Sequence, residues 1–200
     1  MPSEQKNGSP SVNADVPDVL IDKGIELFQK AYNDISVLTG GIAVTVTNIS
    51  GMALELRVAP IFFEGWGSFG SFTPEAKIPH RDVAAFDMNF GKSAKPFIPY
   101  VGPLFINTAL YSMLVYQSDE FDLGLGVYYW VRLKRNGPYA RCALLPKNDL
   151  VSKDKNWLWD DLKTNSQSDA QLSRYGNISV YAALKQPGMN SFGLDVTVYK

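Results

Sequence analysis

The single histidine, His80, lies two residues before Asp82 in the segment KIPHRD. An imidazole beside a carboxylate can serve as a general base near neutral pH; the other reading of a His next to a Pro in a connecting segment is an exposed or locally hydrogen-bonded ring. Cys142 is the one cysteine, in ARCALL, so there is no internal disulfide and no Cys-rich metal site. A free thiol in an apolar strand behaves as a small buried hydrophobe, and one His with one Cys does not make a zinc cluster. Asp149, Asp154, Asp160 and Asp161 miss the spacing that wraps oxygen ligands around calcium. GWGSFG is not followed by Lys-Ser/Thr, and NFGKS lacks the earlier glycine of a phosphate-binding loop. The expectation is a protein that is not an enzyme, with no catalytic residue, no metal and no cofactor.

The more telling residues are amphipathic. FFEGWGSFGSF sets Phe62, Phe63, Trp66, Phe69 and Phe72 among small residues. Such a segment can lay rings against a bilayer interface; equally, Phe62 and Phe63 end a core strand and Trp66 folds back as a lid. Strand alternation puts Tyr129 opposite Tyr128 and Trp130, so at least one of these rings faces outward or crosses into another layer. Trp157 and Trp159 flank a short helix. A formal net charge of −1 gives no basic excess, which argues against nucleic acid as a partner.

The elements that must position these residues follow from periodicity. Residues 1–17 are polar, rich in Ser, Asn and Pro, and read as a flexible arm. Next comes DVLIDKGIELFQKAYNDISVL, residues 18–38, predicted as an amphipathic helix. Its expected apolar side is Ile21, Ile25, Phe28, Tyr32 and Ile35, widened by Leu20, Ala31 and Leu38; Asp22, Glu26, Gln29 and Asn33 occupy the other side. Asp18 is placed to cap it, and Gly40 and Gly41 to stop it. A helix of about twenty residues is about 30 Å long, which matches a bilayer's hydrocarbon thickness. Its polar face forbids it from spanning alone, but several copies can line a pore with Asp22, Glu26, Gln29 and Asn33 toward water. The other reading is a helix that covers the sheet permanently.

Beyond Gly41 the period becomes two. IAVTVTN and MALELRVA alternate and, joined by NISG, predict an antiparallel hairpin. Further strands are expected at 83–90, 105–116, 123–134, 139–145, 177–184 and 192–199, and a short helix in DKNWLWDDL with Leu158 and Leu162 on one face. Many short strands without intervening long helices predict a mainly β chain, residues 18–200 forming one β-sandwich domain flanked by the N-terminal helix and a short second helix. No run of eighteen apolar residues marks a transmembrane helix. The first residues, MPSEQKNGSPSVNADVPD, contain no apolar signal-peptide core.

The order "amphipathic helix, IAVTVTNISG, Gly/aromatic loop" resembles the start of the actinoporin cytolysins of sea anemones and their relatives. IPHRDVAAF is similar to that family's Val-Pro-His-Gly-Lys-Ala-Leu-Leu stretch, LGVYYWV to a central strand, LWDDL to its acidic, aromatic short helix, and MNSFGLDVTVYK to its closing strand. The resemblance spans about residues 18–200 through short motifs. It implies a β-sandwich flanked by two helices that docks on phosphocholine-bearing lipid and then inserts its N-terminal helix during oligomerisation. The docking side it implies takes in Trp66, Phe69, Trp130, Arg132, Arg135, Tyr139, Trp159 and Lys163, and the inserted part is Asp18 to Leu38. The implied partners are a membrane lipid or glycoconjugate and, on the membrane, further copies of a chain that is monomeric in water. Secretion or release toward a target membrane is the location this implies, with the cytoplasm as the alternative.

This chain departs from the family pattern where phosphocholine is held. Trp130, Val131 and Arg132 stand where the family has Ser-Val-Pro, and KRNGPYARCA replaces a Tyr/Trp-rich loop. A choline cation needs several aromatic faces. Arg132, Arg135 and Lys163 repel that cation and attract an anionic headgroup. A non-lytic lipid-, glycan- or protein-binding module on the same scaffold is the alternative function.

Overall fold

The computed structural model describes residues 15–35, 40–57, 62–65, 67–90, 109–132, 138–152, 155–186 and 191–200. Two β-sheets pack face to face. In the first, β1 (Gly41–Ile49) is central, pairing in parallel with β12 (Ser191–Tyr199) and antiparallel with β6 (Asp82–Phe90). This sheet extends through β11 (Ile178–Lys185) to β10 (Gln171–Tyr175) on one side and to β4 (Gly67–Phe69) on the other. The second sheet runs β5 (Lys77–Ile78), β2 (Leu54–Leu56), β7 (Ala109–Ser118), β8 (Leu123–Arg132), β9 (Tyr139–Pro146), and β3 (Phe62–Gly65) also pairs with β7. The architecture is the mainly β sandwich that the alternating segments predict.

Period-two patterning explains the core. Ile42, Val44 and Val46 of β1, Phe86 and Met88 of β6, and Phe192, Leu194, Val196 and Val198 of β12 point inward from one sheet. They meet Leu114 and Tyr116 of β7, Leu125, Val127 and Tyr129 of β8, and Cys142 and Leu144 of β9 from the other. Tyr129 thus resolves the crowded YYW triplet by facing the core, fully buried. Each large side chain buried this way contributes about 1.5–3 kcal/mol.

The outer face of each sheet carries a helix. α1 spans Asp18–Asp34, packed on β1 and β6; α3 (Lys155–Thr164) lies on β8 and β9, with the short α2 (Lys147–Ser152) just before it. Leu158, Trp159 and Leu162 of α3 form a second apolar cluster with Met113, Val115 and Ala143. Gly126 of β8 lets Leu162 approach, since a Cβ there would sit 3.1 Å from its Cδ1.

Three sequence expectations are corrected. The first is the helix boundary. Regular helix ends at Asp34, Ile35 is already extended, and residues 36–39, including Leu38, lie outside the described residues. Pro17 rather than Asp18 holds the N-cap position, without a side-chain cap.

The second is the rotation of the helix. Leu20, Ala31 and Ile35 are buried, whereas Ile21 and Ile25 are 44% and 63% exposed. The apolar sector is wider than the strip the sheet covers, so one flank faces outward. The sheet selects the flank that fits its small residues.

The third is the first hairpin. β1 and β2 do not pair; they belong to opposite sheets. Alternation specifies which face is apolar, not which strand is the neighbour. The turn between them is a corner held by buried Asn48, whose Nδ2 donates to the carbonyls of Met52 (2.7 Å), Ile78 (3.0 Å) and Pro79 (3.1 Å). Its Oδ1 accepts from the Ser50 hydroxyl at 2.6 Å. Outward polar residues hid β10, whose QLSRY run is mostly exposed at a sheet edge; β3, β4, β5 and α2 were likewise too short to be legible.

Candidate membrane-binding surface

The seat of α1 is built from small residues. The outward positions of three neighbouring strands align in register as Gly193, Ala43 and Asp87. Ala43 and Ala85 pack with Ala31 and Ile35, and Leu27, Phe28, Tyr32 and Phe72 close around them. At Gly193 a Cβ would lie 2.7 Å from the Phe28 ring, and at Gly41 a Cβ would collide with the Met88 carbonyl. Close packing of this kind holds a helix by dispersion and burial. Phe28 stacks on Tyr32 with ring centres 5.9 Å apart, and the Lys185 ammonium lies 5.8 Å from the Phe28 ring centre.

Polar tethers fasten both ends. Near the start of α1, Lys23 pairs with Asp82 of β6. At its end, Asp34 accepts hydrogen bonds from the Ser71 backbone N–H at 2.6 Å and from the Ser71 hydroxyl at 2.9 Å. The residues expected to line a pore, Asp22, Glu26, Gln29 and Asn33, are exposed together on the outer side of α1. Gln29 donates to Asn33 at 3.1 Å, and Glu26 pairs with Lys30 at 2.6 Å. The helix therefore shows water a polar face flanked by Ile21 and Ile25.

Strand register places the backbone of Trp130, Arg132 and Tyr139 at one end of the sandwich. Trp130 pairs with Tyr139, Arg132 with Ala109, and Gly65, just before Trp66, with Leu110. Gly67, just after Trp66, pairs with Phe90 in the opposite sheet. The backbone N–H groups of Ala140 and Gln167 donate to each other's carbonyls at 2.9 and 2.8 Å, which brings the segment following α3 and Lys163 to the same end. Gly41 pairs with Asn89 there too, so the C-terminal end of α1 joins the sandwich at this end.

The candidate side chains differ in accessibility. Lys163 is exposed and Tyr139 half-buried. Trp159 is only 6% exposed, packed under α3, which makes it a core ring in this conformation. Phe69 is half-buried and meets Phe86 edge-on at 6.4 Å. Trp66 and Arg135 lie outside the described residues; for Trp130 and Arg132 the structure places the backbone. Trp157 is 37% exposed.

The reactive candidates do not assemble. His80 accepts the Gly51 N–H on Nδ1 at 3.0 Å in a turn, while Cys142 is buried in β9. Burial pushes the Cys142 thiol up to about 12, far from nucleophilic thiolate character. Among the described residues no cluster of His, Cys, Asp and Glu has metal-binding geometry, and no helix is long and apolar enough to cross a membrane.

Sequence reading missed Asp34, Ser71 and Asp87. The available signal was the charge interrupting VAAFDMNF at an outward position, where Asp87 proves to be fully buried.

No protein-family model matches the chain, and no curated protein matches it in sequence. Among solved structures it is similar to the lipid-binding protein Nakanori, with a TM-score of 0.64 at 15% identity, over 92% of this chain and 80% of that one. At this identity the likeness is one of fold alone, shared with a protein described as binding lipid.

Proposed function

We propose that this chain is a membrane-binding protein that docks through the end of the sandwich bearing Tyr139 and Lys163 and then releases α1 into the bilayer, several copies together lining a pore. The observation that carries the reading is the way α1 is seated. It rests on small residues and keeps Ile21 and Ile25 uncovered beside a polar face. In lipid, the buried strip and the exposed isoleucines would together form one broad apolar face, with Asp22, Glu26, Gln29 and Asn33 toward the lumen. The helix rejoins the sandwich at the docking end, so it can swing out without unfolding the sheets. The fold likeness to a lipid-binding protein supports membrane binding in general.

Headgroup choice follows from charge. Lys163 is exposed in α3, whose following segment bridges to Ala140 beside Tyr139, and Arg132 and Arg135 follow Trp130 in sequence. This favours an anionic headgroup over the choline cation. A second reading, a non-lytic binding module, is favoured by the tethers at both ends of α1. The test is vesicle cosedimentation and dye leakage by the native chain and by Gly24→Cys/Val83→Cys. A Cβ on Gly24 lies 3.8 Å from the Val83 Cγ1, the place a cysteine sulfur would take, so oxidation can staple helix to strand. Insertion requires leakage that is lost on oxidation and restored by reductant. Binding without leakage in either redox state rejects insertion in favour of the module.

A further inference from the structure

The last residue of α1 is a carboxylate with an unusual neighbour. Asp34 hangs over Asp87 of β6, and one oxygen of each carboxyl group lies above the same glycine, Gly70. Asp87 also accepts from the Phe72 N–H at 3.0 Å, and Asn89 Nδ2 approaches its other oxygen at 3.4 Å. The strand is held to the same segment by backbone bonds, Gly70 N–H to the Asp87 carbonyl and Asp87 N–H to the Phe72 carbonyl, each 3.0 Å. Both carboxyl groups converge above Gly70, where any Cβ would strike them.

Two carboxyl groups this close together cannot both carry full charge cheaply. The surroundings add to that cost. Asp87 is fully buried, and the C-terminal end of a helix disfavours negative charge. The last turn of α1 contains no basic residue. Among the described residues, cations on the packed elements are engaged elsewhere: Lys30 with Glu26, Lys23 with Asp82, and Lys185 with Asp195 of β12. From β1 the facing residues are Ala43 and Thr45, the latter donating to Asp195 at 2.6 Å. From the loop the facing residue is Ser71, and from β8 across the sheet it is the buried Tyr129 hydroxyl, bonded to Met88 Sδ.

We propose that Asp34 and Asp87 form a proton-held clasp on the C-terminal end of α1, closed while one proton is held between them and loosened when that proton is lost as solution passes from mild acid to neutral. The proposal rests on the reading of α1 as a releasable helix and names what governs its release. Burial, with the neighbouring Asp34 charge, raises the Asp87 carboxyl from 3.8 to about 6, while the Ser71 donors hold Asp34 below the usual range. For Asp87 the folded value lies above the unfolded one. Its contribution is complete below pH 3.8 and lost as pH rises through about 6. For Asp34 the sign is opposite: its contribution is present above 3.8 and lost in strong acid. The clasp is therefore tight in mild acid and weaker at neutral and alkaline pH.

The test is hydrogen exchange of the α1 amides in lipid-free protein at pH 5 to 8, corrected for intrinsic exchange, alongside leakage from phosphatidylcholine vesicles with and without phosphatidylserine. The helix-opening constant of the native chain should rise about tenfold between pH 5 and pH 8, as a shift from 3.8 to about 6 requires. Asp87→Asn, whose amide can donate permanently to Asp34, should flatten that rise and stay protected. Should it fail to fold, Asp34→Asn removes the facing charge and should reduce the rise, leaving the part that burial of Asp87 sets. A native profile independent of pH, or an equal slope in the variants, overturns the clasp. A pH-dependent opening without leakage from any vesicle upholds the clasp and rejects insertion; leakage with a flat exchange profile rejects the clasp alone.

Discussion

Truncating Leu20 and Ile25 separately to alanine distinguishes the buried flank of α1 from the exposed one. Both residues are branched aliphatics on the same helix, but Leu20 is 6% exposed and Ile25 63%. Leu20→Ala removes three carbons from a dry site, about 2.4 kcal/mol at ~0.8 kcal/mol each. The cavity left against the sheet brings the expected loss to roughly 2–5 kcal/mol. With about a third of its surface covered, Ile25 loses under ~1 kcal/mol on truncation, and alanine's better helix propensity returns a few tenths, about 0.4 kcal/mol. The net change at Ile25 should stay within ~0.5 kcal/mol. Urea titration at fixed pH measures both, provided the slope is unchanged. In leakage assays the order should reverse. A loosened seat in Leu20→Ala speeds helix release, whereas Ile25→Ala removes apolar surface needed in lipid and slows it. Equal destabilisation by the two changes would refute the rotation of the helix described above and the argument for a spare apolar flank.

Three further outcomes follow from named contacts. Asn48→Ala takes the amide donor from the buried carbonyls of Met52 and Ile78 at the sheet-to-sheet corner, and from the more exposed Pro79; a loss of at least about 2 kcal/mol is expected by denaturant titration. Lys163→Ala leaves the fold unchanged and weakens binding to phosphatidylserine vesicles about fivefold at physiological salt, since a surface lysine contributes about 1 kcal/mol there; cosedimentation across salt concentrations reads it. Cys142, buried with its thiol pushed up to about 12, should resist a disulfide-exchange reagent at pH 8 in the folded chain and react within seconds in denaturant. Prompt native labelling would place it at the surface.

Much of the fold was legible in the residues because the two periods are local properties. The alternations of IAVTVTN and FGLDVTVY specify strands whose inner faces the structure confirms as core, and the longer period of residues 18–35 specifies a helix. The wide apolar sector of that helix, together with the exposed row Asp22, Glu26, Gln29 and Asn33, was equally readable, because it depends only on the angle between successive side chains.

Partner choice was not local. Whether β1 pairs with β2 or with β12, nearly the whole chain away, depends on which arrangement buries both apolar faces at once, and Asn48 turns the chain between sheets by bonds to carbonyls some thirty residues distant. The flank of α1 that is buried was decided by Gly193, Ala43 and Ala85, residues whose smallness has meaning only once three strands stand side by side. Trp159, plausible in sequence as a ring for lipid, became core because α3 lies on Met113 and Val115. The meeting of Asp34 and Asp87 needed a helix end, a strand and a glycine brought from three places in the chain. Periodicity assigns each side chain a direction; only the assembled sheets determine what lies in that direction.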